Sequence, residues 1–150
     1  MVEFSGTYSA TLDDKGRIVL PAPFKKELGD LAAESLVIEK SLHKDCLDIH
    51  PEKFWKKHVD DFKSTLDPFN PEDDSLLQYF YENFVKVSMA PNGRINIPTG
   101  YLEYAHLEKG AQFIGMGESI RLIADAKVAE TKMSRAEFLE QLKLRRQKKQ

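Results

Sequence analysis

The chain writes one uncommon hexapeptide twice: residues 16–21 read GRIVLP and residues 93–98 read GRINIP. In each copy a glycine precedes an arginine, inward apolar residues alternate with outward ones, and proline ends the run. Glycine tolerates a tight turn, period-two alternation marks a half-buried strand, and proline removes the donor that a longer ladder would need. The surroundings repeat too. Before the first copy, Tyr8, Ala10 and Leu12 alternate with Thr7, Ser9 and Thr11; before the second, Val85, Val87 and Met89 alternate with Lys86 and Ser88. "DDKG" at 13–16 and "APNG" at 90–93 read as hairpin turns.

Each copy is followed by a short helix. The first has Pro23 near its start and Gly29 as its stop; the second is expected to be capped by Thr99 and stopped by Gly110. Two further strands close each unit: 36–40 with 46–49, and "QFIGMG" with "IRLIAD". The chain therefore reads as α+β, mainly β, in two like halves. A unit of about 45 residues buries too little apolar surface to stand alone, so two are expected to share a core. The spacing divides the chain into a first repeated module at 7–53, a helical connector at 54–82, a second module at 83–126 and a C-terminal helix with a basic tail at 127–150. In the connector, Phe54, Trp55, Val59, Phe62 and Leu66 fall at helical spacing. "DPFNPEDDS" reads as a break and "SLLQYFYENF" as a second helix. The final helix opens on "SRAE", a capping box of Ser134 and Glu137, and ends in Lys143, Arg145, Arg146, Lys148 and Lys149.

Composition narrows the function classes. Of 150 residues, 41% are hydrophobic and 31% charged, which is a globular balance. No apolar run approaches the roughly 18 residues of a membrane span, and the start shows no basic segment leading into an apolar one. Cys46 is the sole cysteine, so no intrachain disulfide forms, which fits a reducing cytoplasm. The net charge of −2 gives a monomer no bulk attraction to nucleic acid. The acidic residues Asp60, Asp61, Asp67, Glu72, Asp73 and Asp74 gather mid-chain, and the cations gather at the end.

Catalytic patterns are weak. "GMGE" at 115–118 lacks the lysine of a phosphate loop. No serine sits in a nucleophile elbow. Asp13 and Asp14 are adjacent and would point to opposite faces of a strand. His43, Asp45, Cys46 and His50 suggest a metal, but four residues of strand separate Cys46 from His50 by about 13 Å. No metal, cofactor or small-molecule substrate is expected, and no enzyme.

"LDDKGRIVLP" with "FKKEL", and "GRINIP" with "YLEYAHL", resemble the two motifs of the MraZ family of bacterial transcription regulators. The resemblance runs from about Phe4 to Asp125. It implies two tandem SpoVT/AbrB-like domains, a barrel-type core of interleaved, swapped hairpins, and flanking helices. It also implies binding of double-stranded DNA at short promoter repeats, in the division and cell-wall gene cluster, by a homo-oligomeric ring in the cytoplasm and nucleoid. The family's Asp-x-x-x-Arg motif maps onto Asp13 and Arg17. In the second copy Arg94 is kept but Ala90 stands at the aspartate position.

The residues suit that role. An arginine beside a hairpin turn offers a planar fork for two phosphate oxygens or for guanine O6 and N7. Gly16 and Gly93 allow close approach, and Lys15 and Asn92 sit at the tips. Asp13 would hold Arg17 or cap the turn, whereas Pro91 would stiffen a turn that lacks the aspartate. On pattern alone, Arg17 serves equally as a structural arginine paired to Asp13 or Asp14, and the two roles can coexist. Two rivals remain from other classes: an antitoxin-like protein-binding module, and an enzyme built on the 43–50 segment.

Overall fold

The first turn closes as expected but does not continue into a hairpin ladder. In the computed structural model, which describes residues 1–148, the Asp13 amide donates to the Arg17 carbonyl at 2.9 Å and the Gly16 amide to the Asp13 carbonyl at 3.1 Å. Beyond that point the flanking strands part. Strand β1 (Thr7–Thr11) pairs with β7 (Gly110–Gly115), and β2 (Arg17–Val19) pairs with β6 (Arg94–Asn96), all antiparallel. Each of the first half's turn strands thus finds its partner in the second half.

The same exchange holds on the other side. Strand β3 (Leu36–Lys40) pairs with β4 (Leu47–Pro51) and with β5 (Phe84–Val87), while β8 (Ile120–Ala124) pairs with β7 and β4. The strands run β1-β7-β8-β4-β3-β5 across one six-stranded sheet, with β2 and β6 as a separate ribbon. Swapping the halves maps β1 onto β5, β7 onto β3 and β8 onto β4, so the order has an approximate two-fold symmetry. Among the described residues no ladder joins the edge strands β1 and β5. The result is the α+β, mainly antiparallel architecture that the pattern implied. Its central seam is bridged by Arg121 and Asp48, whose Nε and Oδ1 stand 2.9 Å apart.

Interleaving solves the burial problem of a short unit. Ile18 and Leu20 of one copy and Ile95 and Ile97 of the other enter one cluster with Phe24, Leu47, Ile49, Phe113 and Leu122. Helices α1 (Ala22–Leu28) and α4 (Thr99–Tyr104) follow the two prolines and add Phe24, Leu28 and Tyr101. Helix α2 (Glu52–Ser64) and helix α3 (Pro71–Glu82) form the connector. Their aromatic rings hold the pair against β5: Phe80 stacks on Phe62 with centroids 4.3 Å apart and on Trp55 at 5.6 Å, and Trp55 meets Phe84 at 5.0 Å. A single turn, α5 (Val128–Thr131), precedes α6 (Arg135–Lys148), where the Glu137 amide donates to Ser134 Oγ. Lys149 of the basic tail lies outside the described residues.

Three local expectations differ from the structure. Helix α3 starts within the supposed break, because Asn70 caps it by accepting from the Glu72 amide at 2.9 Å. Pro71 suits the first helical position, and Glu72, Asp73 and Asp74 suit a positive helix start. Thr99 is the first residue of α4 and not its cap; Pro98 holds that place with no side-chain bond. His106, at φ 55°, turns the chain after α4, and Gly110 begins β7 with the Asp125 carboxylate packed where a side chain would stand.

Candidate nucleic-acid interface

The β2–β6 register decides what the repeated motif presents. Arg17 pairs with Asn96, Ile18 with Ile95, and Val19 with Arg94. Opposed residues in an antiparallel ladder share a face. Ile18 and Ile95 are buried, so Arg17, Asn96, Val19 and Arg94 together form the outward face. Two residues of strand and one strand spacing place the two arginine Cα atoms roughly 8 Å apart. The two turns then lie at opposite ends of the ribbon. Each turn glycine is held by the other copy: the Ile97 amide donates to the Gly16 carbonyl and the Leu20 amide to the Gly93 carbonyl, both at 2.9 Å.

Asp13 organises the first turn completely. Its Oδ1 accepts from the amides of Lys15 and Arg17, each at 2.9 Å, and its Oδ2 accepts from Arg17 Nε at 2.6 Å. Capping the turn and holding the arginine are therefore one act by one carboxylate. The Arg17 amide bond, helped by the guanidinium and the Lys15 amide and opposed by partial desolvation, holds the Asp13 carboxyl below its ordinary value of 3.8. Bonding through Nε orients the guanidinium plane, and its two terminal nitrogens have no partner among the described residues.

The second turn repeats the backbone with other side chains. The Ala90 amide donates to the Arg94 carbonyl at 2.9 Å and the Gly93 amide to the Ala90 carbonyl at 2.8 Å. Asn92 Oδ1 accepts from the Arg94 amide at 3.0 Å, so the tip residue does part of what Asp13 does in the first turn. The exposed Arg94 guanidinium has no hydrogen-bond or ion-pair partner among the described residues. Gly16 and Gly93 have φ of 76° and 87°, a conformation that other residues adopt only at a cost.

Comparison with known proteins points to one family. Residues 4–78 match a family model described as "MraZ protein, putative antitoxin-like". A protein of Bacteroides thetaiotaomicron named "Transcriptional regulator MraZ" is 31% identical over 92% of this chain and 88% of its own length. Proteins of the same name from Bacteroides fragilis and Carboxydothermus hydrogenoformans are 31% and 32% identical, over 83% and 79% of this chain. The chain belongs to the MraZ family.

The matched span contains the first copy of the motif, with Asp13 and Arg17; the second copy lies beyond residue 78. Around these residues the structure adds three that sequence reasoning passed over. Val19 is a large apolar side chain left 52% exposed, directly opposite Arg94. Asn96 stands exposed opposite Arg17. Lys25 reaches from α1 to the Pro91 carbonyl, which brings a cation to the second turn, where Asn92 replaces the first turn's Lys15. Period-two alternation already put Val19 and Asn96 outward; their opposite numbers came from the register. Nothing local marks Lys25.

The other constellations do not assemble. Among the described residues no three His, Cys, Asp or Glu side chains stand close enough to hold a metal. Cys46 is buried, and burial pushes its thiol above the ordinary range. His50 Nε2 lies 2.8 Å from Glu39, inside the aromatic cluster and beside Trp55. No helix among the described residues is long and apolar enough to cross a membrane.

Proposed function

We propose that this chain is a sequence-specific, double-stranded-DNA-binding regulator of transcription, and that the β2–β6 ribbon is its reading head. The observation that carries the proposal is the register placing a half-buried Arg17 on one outward face with exposed Asn96, Val19 and Arg94, between two turns. The major groove admits a two-stranded ribbon, and these side chains match base edges: arginine to guanine O6 and N7, asparagine to adenine N6 and N7, valine to the thymine methyl. Lys15 and Lys25 add a cation at each end for phosphates. Gly16, Gly93 and Asn92 shape the tips, and Asp13 holds Arg17. The names of the two Bacteroides relatives agree with this role.

The finer reading follows from it. Residues 7–53 and 83–126 are the two repeated modules, joined by the 54–82 connector and followed by 127–150. The targets are repeated sites in the promoter of the division and cell-wall gene cluster, including the protein's own promoter, in the cytoplasm and nucleoid. One ribbon offers few cations, the chain as a whole carries a net charge of −2, and affinity grows with the number of neutralised phosphates. Several ribbons in a homo-oligomeric ring would engage several DNA repeats at once. The chemistry needs no cofactor, and the protein is not an enzyme.

The test is binding of wild type, Arg17→Ala and Arg94→Ala to duplex DNA from upstream of the protein's own gene, over a range of salt, with particle size measured alongside. Arg17→Ala is expected to lose about tenfold to a hundredfold in affinity with its assembly intact, and Arg94→Ala to lose less. If wild type ignores that DNA, or Arg17→Ala binds as wild type does, the ribbon is a folding element. The antitoxin-like protein-binding reading then takes first place.

A further inference from the structure

Helix α6 folds with no neighbour to cover it. None of its described residues is buried: Leu142 is half-buried and the rest are exposed, Phe138 at 55% and Leu139 at 56%. A helix of 14 residues is near the length at which isolated helices are marginal in water. At helical spacing Phe138, Leu142 and Arg145 fall on one stripe, with Leu139 beside it.

Helix α3 carries a stripe of the same kind. Glu72, Leu76, Tyr79 and Asn83 follow one another at helical spacing, and Leu76 and Tyr79 are 52% and 60% exposed. Across from them Leu42, 68% exposed, completes an apolar groove floored by Phe62 and Phe80. The first turn of α3 holds Glu72, Asp73 and Asp74, and the last turn of α6 holds Arg145, Arg146 and Lys148.

We infer that α6 of one copy lies antiparallel along α3 of a second copy, setting Phe138 against Tyr79 and Leu42, Leu142 against Leu76, and Arg145 against Glu72. The two stripes have equal length: Phe138 to Arg145 and Tyr79 to Glu72 each span about 10 Å at 1.5 Å per residue. Only the antiparallel sense brings apolar residue to apolar residue and cation to anion. It also places the negative end of one helix dipole beside the positive start of the other. The donor and acceptor surfaces differ, so two copies either exchange helices reciprocally in a closed dimer or make the contact once and leave one of each surface open. In the open case repetition closes a ring or extends a filament. This deepens the assembly part of the reading above and is independent of which residues touch DNA.

The test measures particle mass against concentration, by sedimentation and native mass spectrometry. The proteins are the full chain, Leu142→Asp, Tyr79→Asp, Glu72→Arg, Arg145→Glu and the double variant Glu72→Arg/Arg145→Glu. Circular dichroism and thermal unfolding check that each folds, and the own-promoter duplex checks DNA binding. Wild type is expected to assemble. An aspartate in the stripe should weaken assembly about a hundredfold, because it buries an unpaired charge. Each single charge reversal should weaken it about tenfold, and the double variant should regain most of that. Variants that assemble like a wild-type oligomer overturn this interface and leave the proposed function standing. A wild type that is monomeric at every concentration overturns the interface and the ring together. Amide protection of α6 in a monomer, independent of concentration, overturns it in favour of α6 covering its own α3.

Discussion

Turn one and turn two close with the same two backbone hydrogen bonds, yet different parts of the molecule hold them. In turn one a single carboxylate, Asp13, takes two amides and the Arg17 Nε. In turn two the work is divided: Asn92 Oδ1 accepts from the Arg94 amide, Lys25 donates to the Pro91 carbonyl, and the Arg94 side chain has no partner among the described residues. The packing beneath them differs in the same way. A Cβ on Gly16 would stand 2.7 Å from Leu102 Cδ1, whereas one on Gly93 would meet nothing nearer than 3.5 Å. One turn is preorganised and tightly seated; the other has the same shape with slack. A fixed arginine loses less side-chain freedom on binding, so equal backbones can carry unequal binding heads.

Substituting alanine for each turn glycine is the largest probe of this contrast. Gly16→Ala should cost about 2 kcal/mol, from backbone strain plus crowding against the Ile97 carbonyl at 3.2 Å, and Gly93→Ala about 1 kcal/mol, from strain alone. Chemical denaturation of both variants reads the difference, and equal costs would remove the packing half of the contrast. Exchanging the aspartate comes next. Asp13→Ala should weaken DNA binding about threefold to tenfold by freeing Arg17, and Ala90→Asp should tighten it about threefold. Titrations at one salt concentration would sink the preorganisation account if Ala90→Asp made no difference in a folded protein.

A smaller effect separates base reading from phosphate contact. Replacing thymine by uracil in the bound site removes one methyl, which should weaken wild type about threefold and Val19→Ala hardly at all. Equal losses in both proteins would take Val19 off the reading surface. The smallest effect is local and set by pH. The folded state depresses the Asp13 carboxyl, so the hold on turn one is complete above the ordinary value of 3.8 and is lost as pH falls through the lower folded value. Turn two is capped by a neutral amide and has no such transition. Amide chemical shifts of Lys15 and Arg17 should move in that acid range while those of Asn92 and Arg94 stay still; a common shift would point to global unfolding.

Much of this was legible because it is local. The strand alternation, both glycine turns, the prolines that stop β2 and β6, and the capping residue of α6 are short-range consequences of residue type. So was the family likeness, carried by the two motifs. Where local reading went astray, the residues were ambiguous locally. "NPEDD" contains a proline, which breaks a helix in its middle but suits its first turn, where the three acids are also favoured, and only Asn70 marks that start. Gly110 suited a helix stop, and its place is instead where Asp125 packs closely on a strand.

By itself the sequence determined that the chain has two like halves, each with an arginine beside a glycine turn and a half-buried strand ended by proline. The small size of each half also led to the expectation of a shared core. Tertiary structure decided which strand pairs with which, and so that Arg17 and Arg94 share one face with Val19 and Asn96. It decided as well that Lys25 of one half serves the turn of the other, and that Leu102 seats the first turn. The reason is physical. Period and turn chemistry act over a few residues, whereas register between residues 17–19 and 94–96 is chosen by burying Ile18 against Ile95 in a core to which both halves contribute.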